Sequence, residues 1–238
     1  MSYSHGVKKF PGILCIIFLS SGFVLSGEKW PQFRGSQGVA AIDSATLPLK
    51  WSANENVRWK TELPGPGSSS PIFWGNKLFV TCYTGYGIDE KEAGNANKLS
   101  RTLLCLDSKS GKILWKEEVP LVNPEDDYRG YLTEHGYASA TPVTDGKHVY
   151  AFFGKSGIHA FTVTGDKVWS KQVGSSSSNR RWGSAASPIL VGDFLIVNAA
   201  DEARAIIAFD KATGAEKWRY EVEQLELTYN TPTVHTPK

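Results

Sequence analysis

AFDKATGAEKW, residues 208–218, has a near-copy about a hundred positions earlier, CLDSKSGKILW, residues 105–115. In both, an Asp (Asp210, Asp107) is followed four residues later by Gly (Gly214, Gly111) and four after that by Trp (Trp218, Trp115). An Asp carboxylate accepts hydrogen bonds from backbone N–H groups just ahead of it, and Gly takes the left-handed conformation that closes a tight turn. The phrase therefore predicts a hairpin turn leading into a strand that carries a broad indole. A third stretch, HAFTVTGDKVW (159–169), keeps Gly165 and Trp169 but is one residue shorter and has Thr162 in place of Asp, a different turn on the same plan.

Two further alignments extend the repeat. Strand-like Trp residues recur in NVRWKTEL (Trp59), KILWKEEV (Trp115), DKVWSKQV (Trp169) and AEKWRYEV (Trp218). A second phrase recurs at Pro71, Pro142, Pro188 and Pro232, and in its first three copies a Gly stands four residues after the Pro: Gly75, Gly146 and Gly192. Those glycines fall in Gly-Asn, Asp-Gly and Gly-Asp pairs, the residue types of tight β-hairpins. Each repeat thus reads as four short strands, the last copy having strands at about 186–191, 194–199, 204–210 and 215–222. Alternation supports this, with Ile206, Ala208 and Asp210 on one face and Ile207 and Phe209 on the other. Four-stranded antiparallel units at intervals of roughly 45–55 residues, each with an aromatic to fill the gap to the next, predict an all-β fold: a β-propeller.

The bulk properties agree. The 238 residues are rich in Gly and aromatic side chains, with 26 Lys and Arg against 24 Asp and Glu. Near-neutral charge, with Arg180-Arg181 too small a basic cluster, gives no reason to expect a nucleic-acid partner. The N-terminus, MSYSHGVKKFPGILCIIFLSSGFVLSG, places Lys8 and Lys9 before a short apolar run and small residues after it. This predicts a signal peptide over residues 1–26, cleaved after Ser26, and a chain exported to a periplasmic or extracellular space. The run is short and broken by Pro11, Gly12, Ser20 and Ser21, so the mature chain, 27–238, is not expected to span a membrane. An oxidising compartment permits a Cys82–Cys105 disulfide, but two buried thiols are the favoured reading.

The pattern A-x-D-x-x-T-G-x-x-x-W resembles the repeat of the pyrroloquinoline quinone (PQQ)-like β-propellers, the family of quinoprotein dehydrogenases and of BamB-like assembly scaffolds. AFDKATGAEKW matches every fixed position, and CLDSKSGKILW has Cys for Ala and Ser for Thr. The entry segment WPQFRGSQGVA (30–40) is similar to the mature start of exported members. The resemblance covers essentially all of the mature chain. It implies an incomplete arc: three full blades at roughly 68–120, 138–174 and 184–223, a lone last strand around Trp59, and the start of another blade at Pro232. The chain then reads as the front half of a longer ring, the alternative being a short protein that closes by dimerising.

In such an arc, loops entering the innermost strands gather near the axis. They hold Glu134, His135 and Tyr137; Arg180, Arg181 and Trp182; and Tyr229 and Asn230. Charge, stacking and hydrogen bonding from such a set suit a planar acidic ligand. The plainer reading is aromatic packing with a hydrated rim. Glu125, Asp126 and Asp127 are hard oxygen donors, but without the spacing of a compact Ca²⁺ loop they read as a solvated acidic turn, so no metal site is assigned. Residues 84–100 form a long polar insertion, read as a flap or partner contact. The resemblance leaves two functions open. One is a non-catalytic binding or scaffolding propeller with a protein, small-molecule or glycan partner and no cofactor. The other is a PQQ- and Ca²⁺-dependent dehydrogenase, for which the vicinal Cys pair of many such enzymes is missing. The scaffold is the favoured expectation.

Overall fold

The computed structural model describes residues 13–16, 29–36, 38–41, 48–89, 91–226 and 228–235. Among them run the strands β1 (Ile13–Ile16), β2 (Lys29–Trp30), β3 (Trp59–Glu62), β4 (Ile72–Trp74), β5 (Lys77–Thr84), β6 (Ser100–Asp107), β7 (Ile113–Pro120), β8 (Val143–Thr144), β9 (His148–Phe152), β10 (Ile158–Thr162), β11 (Lys167–Lys171), β12 (Ile189–Val191), β13 (Phe194–Ala199), β14 (Ala205–Asp210) and β15 (Glu216–Glu221). Two single helical turns, α1 (Leu132–His135) and α2 (Ala200–Ala203), interrupt them. Three antiparallel sheets hold strands β4–β7, β8–β11 and β12–β15 in sequence order, and β2 adds to the inner edge of the first. These are the three blades read from the sequence, and the fold is an unclosed all-β propeller arc. β3 carries Trp59 against the first blade and pairs with β1. The remainder of the expected signal segment lies outside the described residues.

Period-two alternation sets what each blade buries. Along β6, Leu103 and Cys105 face the second blade, packing with Val149, Ala151 and Phe161, while Leu104 and Leu106 pack with Trp59. Along β14, Ala205, Ile207 and Phe209 join Tyr150, Phe152 and Trp169 in a second inter-blade core. Cys82 and Cys105 are both buried and unbridged, and burial pushes the Cys105 thiol up to about 12.

The repeated phrase does the work of a coupling. Asp107 Oδ1 accepts from the N–H groups of Lys109 and Ser110 and from the Ser110 hydroxyl. Asp210 Oδ1 does the same with Ala212 and Thr213. In the second blade Thr162 Oγ1 accepts from the N–H groups of Thr164 and Asp166. Each such turn receives the indole of the preceding blade. The indole N–H of Trp59 donates to Ser108 O at 3.1 Å, that of Trp115 to Val163 O at 3.2 Å and that of Trp169 to Lys211 O at 3.1 Å. Gly111 and Gly214 lie under the Trp59 and Trp169 rings, at φ 73° and 69°, and a Cβ on either would fall within 2.6 Å of a ring atom. Trp218 completes the series by position but is 43% exposed, with no further blade beside it among the described residues. A β-bulge follows in all three blades, where the register slips just after the pairs Cys105↔Trp115, Ala160↔Trp169 and Ala208↔Trp218.

A second coupling runs along the innermost strands. The N–H of Ser70 donates to Thr141 Oγ1 at 2.9 Å, that of Thr141 to Ser187 Oγ at 2.9 Å, and that of Ser187 to Thr231 Oγ1 at 3.2 Å. All four residues directly precede a Pro, which holds them extended with the amide free for a neighbour. Segment 231–232 therefore already sits in the inner-strand position expected of Pro232, although it carries no strand pairing.

Candidate functional site

Antiparallel order puts the turns between first and second and between third and fourth strands at one end of the blades. The connections between second and third strands, and from one blade to the next, lie at the other. All the candidate residues are at this second end.

Beneath it lies a belt of buried charge. The first inter-blade connection inserts Glu125 and Asp126, whose side chains are only 8% and 6% exposed. Arg101, at the start of β6, donates through Nη2 to Glu125 Oε1 and through Nη1 to Ser156 Oγ at 2.9 Å. Lys155, from the turn after β9, reaches Asp126 Oδ2 at 3.0 Å and Ser177 Oγ at 2.7 Å, and Ser177 donates to Asp126 Oδ1. The sequence reading of a solvated acidic turn is therefore corrected: only Asp127 remains exposed. Two buried cations draw Glu125 and Asp126 inward, because an ionised carboxylate is tolerated in the interior only when paired.

The belt continues into the third blade at α2. The Ser178 N–H donates to Asp201 Oδ1 at 3.2 Å, and the Ser176 N–H to Glu202 O. Burial, followed by the Asp201 charge, pushes Glu202 up to about 8. Burial also raises Asp201, partly offset by the hydrogen bonds from Ser178. Sequence reasoning missed Arg101, Lys155, Asp201 and Glu202, since no spacing marks them and charged residues on strand ends ordinarily face water.

Above the belt the candidates divide. His135 Nδ1 lies 2.6 Å from Ser139 Oγ and Nε2 2.7 Å from Trp182 O, so it fastens one inter-blade loop to the next. Tyr137 is buried, donates to Asp126 O at 2.8 Å and packs with Tyr83, Tyr86 and Tyr128. That cluster also fixes the 84–100 insertion: Tyr86 and Leu99 are buried in it, and the Tyr128 N–H donates to Tyr86 Oη. The insertion is thus docked on the blade end by these residues. Trp182 lies 5.9 Å from Tyr229 in a stacked arrangement and meets Tyr131 at 4.5 Å, with the Arg180 guanidinium 5.6 Å from its ring. Arg181 is exposed and 4.0 Å from Asp126, Glu134 is exposed, and Asn230 is exposed while its carbonyl accepts from Asn198. The structure thus gathers Arg180, Trp182, Tyr229 and Tyr131, and leaves Tyr137 apart as a core residue.

The adjoining crevices hold about one water each. Trp182 is contacted by Tyr131, Tyr229 and Arg180, so its ring stands against side chains of the chain itself. Among the described residues, no three His, Cys, Asp or Glu side chains converge as a metal cluster, and no helix is long and apolar enough to cross a membrane.

The family model described as "Outer membrane protein assembly factor BamB" matches residues 94–235, more than half of the chain. The chain belongs to that family. Solved structures similar to this BamB-family chain include BamB from Moraxella catarrhalis, at 21% identity and a TM-score of 0.49 over 75% of this chain and 46% of that one. Others are a europium-containing methanol dehydrogenase (15%, TM-score 0.44, 65% and 24% covered) and the quinohemoprotein alcohol dehydrogenase ADHIIG from Pseudomonas putida HK5 (18%, TM-score 0.41, 67% and 21% covered). The chain spans less than half the length of each. No curated protein matches it.

Proposed function

We propose that this BamB-family chain is an exported, non-catalytic propeller that binds a protein partner through its loop end. The carrying observation is the exposed patch of Tyr131, Arg180 and Arg181 around the half-buried Trp182. Tyr, Trp and Arg are the side chains that most often anchor protein interfaces. The buried pairs Arg101–Glu125 and Lys155–Asp126 lie directly below and fix the loops that carry the patch, which lowers the ordering cost of association. The family's description as an assembly factor favours a protein partner over a glycan or other small molecule. Export rests on Lys8, Lys9, the apolar run and the small residues before Gly27.

A photo-crosslinking residue at Tyr131, in cells producing the whole chain, tests the reading. It expects one discrete protein adduct, lost on Trp182→Ala and Arg180→Ala. No adduct, or quinone- and Ca²⁺-dependent dye reduction by the purified chain, overturns it. A reporter active only outside the cytoplasm, fused after residue 30, checks export.

A further inference from the structure

The belt holds an electrostatic remainder. Its buried cations, Arg101 and Lys155, are each matched by a carboxylate, Glu125 and Asp126. Asp201 and Glu202, at 6% and 2% exposure, make no ion pair within 4 Å among the described residues. Ionising either acid there with no counter-charge costs several kcal/mol per ion, in keeping with the upward shift that burial gives both.

Hydrogen-bond accounting singles out the same place. Eight buried side-chain polar atoms make no well-formed hydrogen bond among the described residues, and four of them belong to this corner: Asp201 Oδ2 and Glu202 Oε2, with Tyr229 Oη and Ser178 Oγ, the Ser178 hydroxyl lying near enough to Asp201 and Tyr229 to bias both. Buried polar atoms are satisfied in nearly all native structures, so such a cluster calls for a partner from outside the chain, an ordered water or an ion. Asp201, Glu202, Asn198 and Tyr229 line a crevice of single-ion size, with Thr228 and Ser184 at its walls. A water would satisfy the oxygens, whereas a cation displacing the acid protons would satisfy them and neutralise both carboxylates together.

We propose that Asp201, Glu202 and the Tyr229 hydroxyl form a site for one hard divalent cation of the calcium class. The donors are all oxygen, two of them anionic, which selects such an ion over thiolate- or imidazole-seeking metals. Two carboxylates fall short of a full shell, and waters entering from the open side of the crevice complete it. The ion ties α2 of the third blade to the segment after β15, which Asn198 also holds through Thr228 O and Asn230 O at 3.0 and 3.1 Å. The site lies under Trp182, which stacks on Tyr229, so occupancy supports the proposed binding patch without depending on it.

The purified chain, stripped with chelator, is titrated with CaCl₂ by calorimetry, with NaCl as control, and with Tb³⁺ while exciting the neighbouring aromatic rings. The proposal expects one saturable Ca²⁺ site and sensitised Tb³⁺ emission that Ca²⁺ displaces and Na⁺ does not. Asp201→Asn and Glu202→Gln each weaken Ca²⁺ binding at least tenfold and leave the ion-free fold intact, while Asp127→Asn, an exposed acid, changes nothing. Should either carboxylate variant fail to fold, Tyr229→Phe, which keeps both charges, is expected to lower both Ca²⁺ affinity and Tb³⁺ emission. Absence of saturable binding, or binding indifferent to all three site substitutions, overturns the proposal.

Discussion

The amide of Thr141 donates to the hydroxyl of Ser187 at 2.9 Å, joining the innermost strands of two blades whose sheets share no strand pairing. Both residues are about 2–3% exposed, so no bulk water replaces the bond when it is lost. Ser187→Ala leaves a buried N–H unsatisfied and is expected to cost about 1–3 kcal/mol. Ser187→Thr keeps the hydroxyl, as Thr141 and Thr231 do at the equivalent positions, and is expected to be near neutral. Urea unfolding of the two variants beside the parent chain distinguishes a specific latch from general sensitivity of the position.

The indole couplings give a graded series. Trp169 is 8% exposed and its ring covers Gly214, whereas Trp218, the same position one blade later, is 43% exposed. Trp169→Ala is expected to cost about 3–5 kcal/mol, as for other buried Trp truncations. Trp218→Ala, far less buried in the chain described, is expected to cost less than about 1 kcal/mol. Gly214→Ala meets both the left-handed backbone and the Trp169 ring, and about 1–3 kcal/mol is expected from the backbone strain alone. Equal losses at Trp169 and Trp218 would contradict the coupling geometry.

What the sequence made legible follows from locality. Asp107, Gly111 and Trp115 act within one hairpin and across to one neighbour, so their spacing survives repetition and can be read. The hydroxyl before each Pro repeats too, but Ser and Thr alternate there and the bond runs between blades, hiding it in a phrase otherwise read only for its turn. The charged belt has no repeat at all. Arg101, Glu125, Asp126, Lys155, Asp201 and Glu202 come from strand starts, turns and connections of three blades, and only the fold makes them neighbours. A sequence shows their charge and not their burial, which is why Glu125 and Asp126 read as solvated. The same limit applies to the candidate site: Tyr137 and Trp182 look alike in their loops, yet one is core and the other rims the blade end.

Stability has two pH limbs with different origins. Asp107, Asp166 and Asp210 are lowered, first by hydrogen bonds from Ser110, Thr164 and Thr213 respectively. Their folded values lie below the unfolded ones, so what they contribute is present above the unfolded value and lost as pH falls through the folded one. Glu202 is the reverse, raised from 4.5 to about 8 mainly by burial, then by Asp201 and Glu125, with Lys155 opposing. Between those values the folded state holds a proton the unfolded state lacks, so stability falls with rising pH by about 1.4 kcal/mol per unit. In chelator-treated buffer, denaturant midpoints are expected to drop from about pH 6.5 towards pH 8, since below 6.5 the buried His159, lowered to about 4 mainly by burial, offsets Glu202, and Glu202→Gln is expected to flatten that limb while leaving the acid limb unchanged. A parent limb that is already flat would place Glu202 with the ionised acids.

Arg101 tests whether the belt or the apolar cores hold the loop end in place. Its side chain is 1% exposed, pairs with Glu125, donates to Ser156 and lies 5.8 Å from the Tyr137 ring. Arg101→Met removes the cation at similar volume and strands Glu125, a change expected to cost about 3–5 kcal/mol. Restoring neutrality with Arg101→Met and Glu125→Gln together is expected to recover much of that, because the penalty resides in the unpaired charge and not in lost contacts. The same pair of variants reports on the loops: with Glu125 stranded, amide exchange is expected to quicken at 121–140, where the connection is fastened, and to stay slow in β9 and β10, whose protection comes from the inter-blade core. Uniform loss of protection across the second blade would instead make Arg101 part of the global fold.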